Sequence, residues 1–494
     1  MFAGRYKSGI AVDSILLTVI RFATIGLSIF TTMLLSKKYS LADYGTYSQA
    51  IIIISIGGSF AILGLTDAVN YYYNSTENQE IREKYISTMF TIQYIVGAIC
   101  AAIILVFQQF ITEYFKNPDL VYLYIYIAFT PLITNLQSMY QVMFVSIGKA
   151  KIIGLRNLIV SILKLGVIAI ACLVTKSIVT IFVALIIMDI MQLLFFVIYF
   201  NKHAFIIRLK NTRLSLVPQI LKYSIPMAGY ILTNSLFRDT DKLVISRLTD
   251  IETLAIYSNC SKVLPFDLLT IAFATVLLPY ITKYISLEQH EKSQHLFSRY
   301  LRFSYITTWI IAFGAIITAP EFITFLYGSK YSPGLWVFIL FIVVDMVRFA
   351  NVSIILSAKG KTKTLMLYAI FSLVANLVLS ITFFYLWGSL GPAISTLLIT
   401  LVSNVLLLLH GAKIINTSMS KLFDFKAMGL FILELMFVSG VALFVRLFLN
   451  NYSIGNMWVL IISYGVFVLG MSLFNIKKIV LLAKEMNNIK LKES

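Results

Sequence analysis

Long apolar runs alternate with short polar breaks along the whole chain, and the length of those runs is its dominant signal. A helix needs about 20 mostly apolar residues to cross a bilayer. Fourteen stretches reach that length, near 13 to 35, 46 to 70, 85 to 110, 120 to 147, 154 to 174, 178 to 200, 220 to 246, 253 to 280, 300 to 326, 335 to 357, 364 to 387, 390 to 412, 427 to 449 and 457 to 475. The pattern predicts an all-α polytopic membrane protein with about fourteen transmembrane helices. Composition agrees, since 59% of the 494 residues are hydrophobic and 13% are charged, outside the range of soluble globular domains. The first run follows Arg5 and Lys7 and is too long for a signal-peptide core, so it is expected to remain as a span. Cys100, Cys172 and Cys260 all fall inside apolar runs and form no disulfide pattern.

The polar breaks repeat. SKKYSLADYGTYSQA at 36 to 50 aligns with SRLTDIETLAIYSNC at 246 to 260 at a shift of 210, matching Ser36 to Ser246, Lys37 to Arg247, Tyr47 to Tyr257 and Gln49 to Asn259. GKAK at 148 to 151 aligns with GKTK at 360 to 363 at a shift of 212, and in the helices that follow, Lys164 falls on Asn376. A repeat of six spans returns the chain to the same side of the membrane, which predicts two parallel lobes related by a pseudo-twofold axis along the membrane normal. The expected organisation is a six-helix lobe over 1–200, a basic amphipathic cytoplasmic linker over 201–219 and a second six-helix lobe over 220–412. Two additional spans over 413–475 and a basic cytoplasmic tail over 476–494 complete it.

Net charge adds orientation. The formal charge of +18 would suit nucleic acid if it were clustered, but it follows the loops instead. With the N-terminus inside, 26 Lys and Arg lie at the inner ends of the spans against 7 at the outer ends. That bias places both termini in the cytoplasm and makes the partner a bilayer rather than nucleic acid.

Ionisable groups within spans are costly and therefore candidates for function. At 1.5 Å per residue, Arg21, Lys164, Asp189, Lys262 and Asp345 fall near the midplane, with Arg348 one turn beyond Asp345. Arg21, Lys164, Lys262 and Arg348 would line a cationic, substrate-binding cavity if their faces converge, and Asp189 and Asp345 are candidates for ion coupling. A purely structural alternative pairs Arg348 with Asp345 along one helix and Lys164 with Asp189 across a hairpin. FRDTDKLVISRL at 237 to 248 places Arg238, Asp239, Asp241 and Lys242 in the outer third of span seven. There Arg238 can pair with Asp241 and Asp239 with Lys242, as an outer gate or an interfacial brace. Asp67 and Asp267 are weaker candidates, Arg156 is expected at the interface, and Glu434 has no assigned role.

Several chemical signatures fail on geometry. Asp239 and Asp241 resemble a metal-binding DxD, but on a helix residues i and i+2 point about 200° apart. Gly360-Lys361-Thr362 lacks both the first glycine of a phosphate loop and the preceding strand. His203, His290, His295 and His410 have no metal-ligand spacing within a span. Neither a catalytic site nor a metal or other cofactor is expected.

LSKKYSLADYGTYSQA at 35 to 50 and LKYSIPMAGYILTNSLFRDTDKLVISRLTDIETLAIYSNCSKVL at 221 to 264 carry a resemblance. With its early proline in span seven, an acidic-basic pair near the end of that span and a Tyr-Ser after the loop, the chain resembles the polysaccharide flippase family of the multidrug, oligosaccharidyl-lipid and polysaccharide exporter superfamily. The resemblance extends to span number and repeat over the whole chain. It implies a non-enzymatic flippase of the bacterial cytoplasmic membrane that moves undecaprenyl-pyrophosphate-linked oligosaccharides to the outer face by alternating access, for surface polysaccharide biosynthesis. Membrane lipids and a polysaccharide polymerase machinery are the other implied partners. Two rival functions are a cation-coupled multidrug exporter of the same superfamily and a membrane polysaccharide polymerase or ligase. The first suits an acidic cavity better, and the second needs a longer outer loop than this chain has.

Overall fold

Ser40 caps the helix that begins at Leu41 by accepting the Asp43 backbone N–H at 3.0 Å, and 210 residues later Asp250 does the same for the helix that begins at Ile251. The Thr253 N–H on Asp250, at 2.7 Å, holds that carboxyl below the usual carboxylate range. The structure is a computed structural model and describes residues 3–75, 78–175, 177–262, 266, 268–452 and 454–491.

Those residues pack as two units, Met1–Ala255 and Ile256–Ser494. The first holds α1 (Ala3–Lys38), α2 (Leu41–Ala61), α3 (Leu65–Ser75), α4 (Gln79–Val106), α5 (Gln108–Phe115), α6 (Tyr124–Ser146), α7 (Ala150–Val174), α8 (Ile178–His203) and α9 (Val217–Leu248). Helix α10 (Ile251–Cys260) leads into the second unit, which holds α11 (Leu268–Ser286), α12 (His290–Ile317), α13 (Ala319–Tyr327), α14 (Leu335–Val347), α15 (Ile354–Ala358), α16 (Thr362–Trp387) and α17 (Gly391–Ile414). A short helix α18 (Met419–Leu422) then precedes α19 (Phe425–Asn451) and α20 (Asn456–Leu491).

The order of elements repeats as the polar breaks predict. Gly148 and Gly360, with φ of +74° and +73°, end one helix and release the next at Ala150 and Thr362. Each unit also contains a polar brace at the same register. Gln49 donates to the Phe115 carbonyl and accepts from Asn117 at 2.7 Å in the first, while Asn259 engages Tyr331 in the second. All four side chains are buried.

Eleven stretches of the described residues are long and apolar enough to cross a membrane, and one of them, Thr362–Ile414, holds two helices that turn at Gly388. Helix α9 is not among the eleven, since polar residues such as Lys222, Tyr223, Tyr230 and Asn234 lower the apolarity of its first half and Arg238, Asp239, Asp241, Lys242 and Arg247 that of its second. Several stretches that read as continuous spans are broken helices. Between α2 and α3, Leu63 and Gly64 turn left-handed; the carbonyl freed at Ala61 accepts the Gln93 side chain at 3.3 Å, and the Gly58 carbonyl, which keeps the Ile62 N–H, also accepts Asn135 at 3.0 Å. Between α14 and α15 the carbonyls of Met346 and Val347 accept Trp309 Nε1 at 2.9 Å and Asn404 Nδ2 at 2.7 Å. The Asn351 N–H is met by the Tyr300 hydroxyl at 2.9 Å. A break within a bilayer is tolerated only when neighbours satisfy the backbone in this way, and hydropathy carries no trace of it.

Gly64 also marks where α9 lies. A Cβ there would sit 2.4 Å from the Ser224 carbonyl oxygen, so α9 passes directly over the break. Gly64→Ala is expected to lower stability by about 2–4 kcal/mol, from left-handed strain and overpacking together. Thermal unfolding of the purified protein in detergent measures it, and a transition unchanged from wild type would contradict the close approach. The repeat makes α9 the counterpart of α1, yet the two pack differently. Helix α1 lies along α7, whereas α9 lies along α2 and α3.

Candidate functional site

In a membrane helix the side facing lipid is apolar, so a polar exposed side points to water or to a polar ligand. Helix α1 has both. Arg21, Ser28 and Thr32 fall within about 40° of one another on the helical wheel, and Arg21 and Ser28 are exposed. Ala23 and Phe30, nearly opposite, are exposed and apolar. Thr24 and Thr31 return their hydroxyls to the Ile20 and Leu27 carbonyls, which leaves the polar face to Arg21 and its neighbours. Among the described residues Arg21 makes no ion pair.

Helix α9 carries a second such face. Tyr223, Tyr230, Asn234 and Arg238 recur at intervals of seven, four and four residues, and all four are exposed. The Arg238 side chain is 62% exposed. Tyr223 stacks on Tyr71 of α3 with centroids 4.8 Å apart, and Asp67 lies within electrostatic reach of Tyr223. Behind the exposed face the other charges are buried. Asp239, 5% exposed, accepts the Ser55 hydroxyl and the Lys242 ammonium, each at 3.0 Å. Asp241 is buried, with one carboxylate oxygen on the Lys242 N–H at 2.9 Å. The expected Asp239–Lys242 pair forms, but Arg238 turns to Ser55, Ser235 and Asp239 rather than to Asp241. Helical spacing alone could not reveal Ser55, which α2 presents from nearly 200 residues away.

The remaining candidates of the first unit meet at α6, α7 and α8. Arg156 donates to Gln137 at 3.1 Å, to Gln192 and to Asn157 at 2.8 Å, and lies 4.7 Å over the Phe196 ring. Gln192 donates in turn to Asp189 at 3.4 Å, and Gln137 donates to the Asp189 carbonyl at 2.7 Å. Lys164 and Arg156 both lie within electrostatic reach of Asp189. Arg156, expected at the interface, is the hub of this network. The two glutamines were the available sign, since apolar helices rarely carry amides without a partner.

In the second unit Lys262 stands just beyond α10, Asp345 is buried in the last full turn of α14, and Arg348 caps that helix at its break. All three are engaged with neighbours and none is a free charge. Asp267 lies outside the described residues. Glu434 finds its role across the α19–α20 hairpin, where it accepts Lys478 at 2.9 Å and the buried Asn475 at 3.0 Å. Helix α19 is tied to α13 by Glu321, whose two carboxylate oxygens both accept Arg446 Nε at 2.9 Å. Glu321 is 5% exposed. Its replacement by alanine is expected to cost about 3–5 kcal/mol, because it strands a largely buried guanidinium. The double variant Glu321→Met with Arg446→Leu should recover most of that loss. Thermal unfolding checks both, and a double variant no more stable than the single one would refute the pairing.

Two units of broken membrane helices, the first with polar exposed faces on α1 and α9, have the architecture of a membrane transporter. The chain is similar over 94% of its length, and over 100% of the other, to a structure of the lipid II flippase MurJ in an inward closed conformation, with a TM-score of 0.71 and 19% identity. It is also similar to the MATE multidrug transporter DinF-BH, covering 83% of this chain and 96% of that one at a TM-score of 0.58 and 11% identity. A MOP superfamily transporter from Pyrococcus furiosus, described by the reverse polarity of its binding pocket, is matched over 82% of this chain and 94% of that one at 0.52 and 13%. At these identities the likeness is one of fold. No curated protein matches the chain in sequence. A family profile described as "Polysaccharide biosynthesis protein" matches residues 34–335, and the chain belongs to that family. Arg21, Asp345 and Arg348 fall outside the matched range, and membership assigns no role to any single residue.

Proposed function

We propose that the protein is a flippase that carries an undecaprenyl-pyrophosphate-linked oligosaccharide from the inner to the outer face of a bacterial cytoplasmic membrane, with both termini in the cytoplasm. The observation that carries the reading is the exposed cation Arg21 on the polar face of α1, within the span, in a member of a polysaccharide biosynthesis family. A pyrophosphate group crossing hydrocarbon needs fixed positive charge along its path, and a guanidinium offers both charge and a planar set of donors. The exposed Tyr223, Tyr230 and Asn234 of α9 suit the sugars, since aromatic faces and amides bind polyhydroxylated rings without adding charge. Lys164, Lys262 and Arg348 supply further positive charge in this reading, although Lys164 shares Asp189 with Arg156. Asp189 and Asp345 are the groups proposed to couple transport to an ion, and Arg238, Asp239, Asp241 and Lys242 to gate the outer side.

Deletion of the gene in a host that makes a surface polysaccharide tests the reading. Loss of polymer together with lipid-linked repeat units accumulating in the inner leaflet is the expected result. Intact polymer with new sensitivity to cationic drugs would replace the flippase by a multidrug exporter.

A further inference from the structure

A furrow of about 300 Å³ opens between α7 and α8 on the surface of the first unit. Its rim is Ile159 and Leu163 of one helix and Met191 and Phe195 of the other, all exposed and apolar, so it faces hydrocarbon. Arg156 and Gln192 also line it. Arg156 hydrogen-bonds only neutral groups, and its Nε is buried without a partner. Lys164 adds a second positive charge to the cluster and Asp189 a single negative one. Even with Asp189 ionised, one positive charge stays uncompensated beside an apolar cleft. Such a charge beside hydrocarbon is costly, and a counter-ion lowers that cost.

We infer that this furrow binds an anionic phospholipid of the bilayer, with its phosphodiester on Arg156 and an acyl chain along the Ile159–Leu163 and Met191–Phe195 rims. Arg156 stands about 9 Å from the start of α7, the depth at which a headgroup phosphate meets the first turns of a helix. Lys149 and Lys151 sit at that same end. Basic pockets between membrane helices recognise lipid headgroups through this combination of a fixed cation and a nearby basic rim. Charge selects the ligand. The single negative charge of a phosphodiester neutralises the cluster, whereas a pyrophosphate would leave it with excess negative charge in an apolar setting. The cluster behind the furrow shares Lys164 and Asp189 with the proposed translocation path, but neither lines the furrow itself, whose rim is apolar and exposed.

Native mass spectrometry of the full-length protein, delipidated in non-ionic detergent and titrated with phosphatidylglycerol or phosphatidylcholine, tests the inference. Wild type is expected to retain phosphatidylglycerol about tenfold more strongly, the factor that one charge-assisted hydrogen bond supplies. Arg156→Gln should abolish the preference. Met191→Trp, at the exposed rim and away from the polar network, should fill the furrow and weaken retention to the same degree at an unchanged unfolding temperature. Equal retention of both lipids by wild type, or undiminished retention by Met191→Trp, would overturn the assignment. Displacement of phosphatidylglycerol from wild type by undecaprenyl pyrophosphate at equal concentration would also overturn it and give the site to the translocated lipid.

Discussion

Cells whose only copy of the protein carries Arg21→Ala are expected to lose most of their surface polysaccharide and to accumulate lipid-linked repeat units, at wild-type protein levels. Arg21 is exposed and makes no ion pair among the described residues, so its removal leaves no stranded partner and should spare the fold. What it removes is a charge-assisted contact to a phosphate in low dielectric. Such contacts contribute about 1.5–3 kcal/mol, which corresponds to a roughly ten- to hundredfold loss in transport rate or affinity. Arg21→Lys keeps the charge but not the planar fork, and an intermediate phenotype is expected. Measurement of surface polymer and of inner-leaflet repeat units in the same cells separates slow transport from poor expression. Wild-type polymer in the Arg21→Ala strain would remove Arg21 from the path.

Asp239→Ala is expected to unfold or severely destabilise the first unit, by about 3–5 kcal/mol. The carboxylate is buried between the Ser55 hydroxyl and the Lys242 ammonium, whose side chain is only 17% exposed. Deletion strands that ammonium within the helix packing. Asp239→Asn, which can still accept from Ser55, should lose less. The contrast with Arg238→Ala is the informative part, since Arg238 is largely exposed and its substitution should change the unfolding temperature little. Thermal unfolding of the three variants in one detergent measures the order. Equal stability of Asp239→Ala and wild type would mean that the pair does not brace α9.

The same pair shows how much the sequence exposes and where it stops. Asp239 and Lys242 are one turn apart, so their contact can be read from spacing. Whether that contact is a rim decoration or a buried brace cannot, because burial depends on Ser55 of α2 lying against α9. Arg156 makes the point more sharply. Its place near the start of α7 suggests an interfacial cation, and only the convergence of Gln137 from α6 and Gln192 from α8 makes it the centre of a network. Glu434 was opaque for the same reason, since its partner Lys478 lies far onward in the chain, across a hairpin.

By itself the sequence determined the class of the protein, an all-helical membrane chain, and the recurrence of its caps and turns. Each of these rests on local or periodic properties: the apolar length needed to cross a bilayer, the caps Ser40 and Asp250 at a shift of 210, and the turns at Gly148 and Gly360. The tertiary structure alone decided where the spans break and which charges are neutralised. It also decided that α1 and α9, equivalent in the repeat, pack against different helices. The physical reason is common to all three. A broken helix, a buried charge and a packing partner are each stabilised by side chains that arrive from distant parts of the chain, and no local pattern records their arrival.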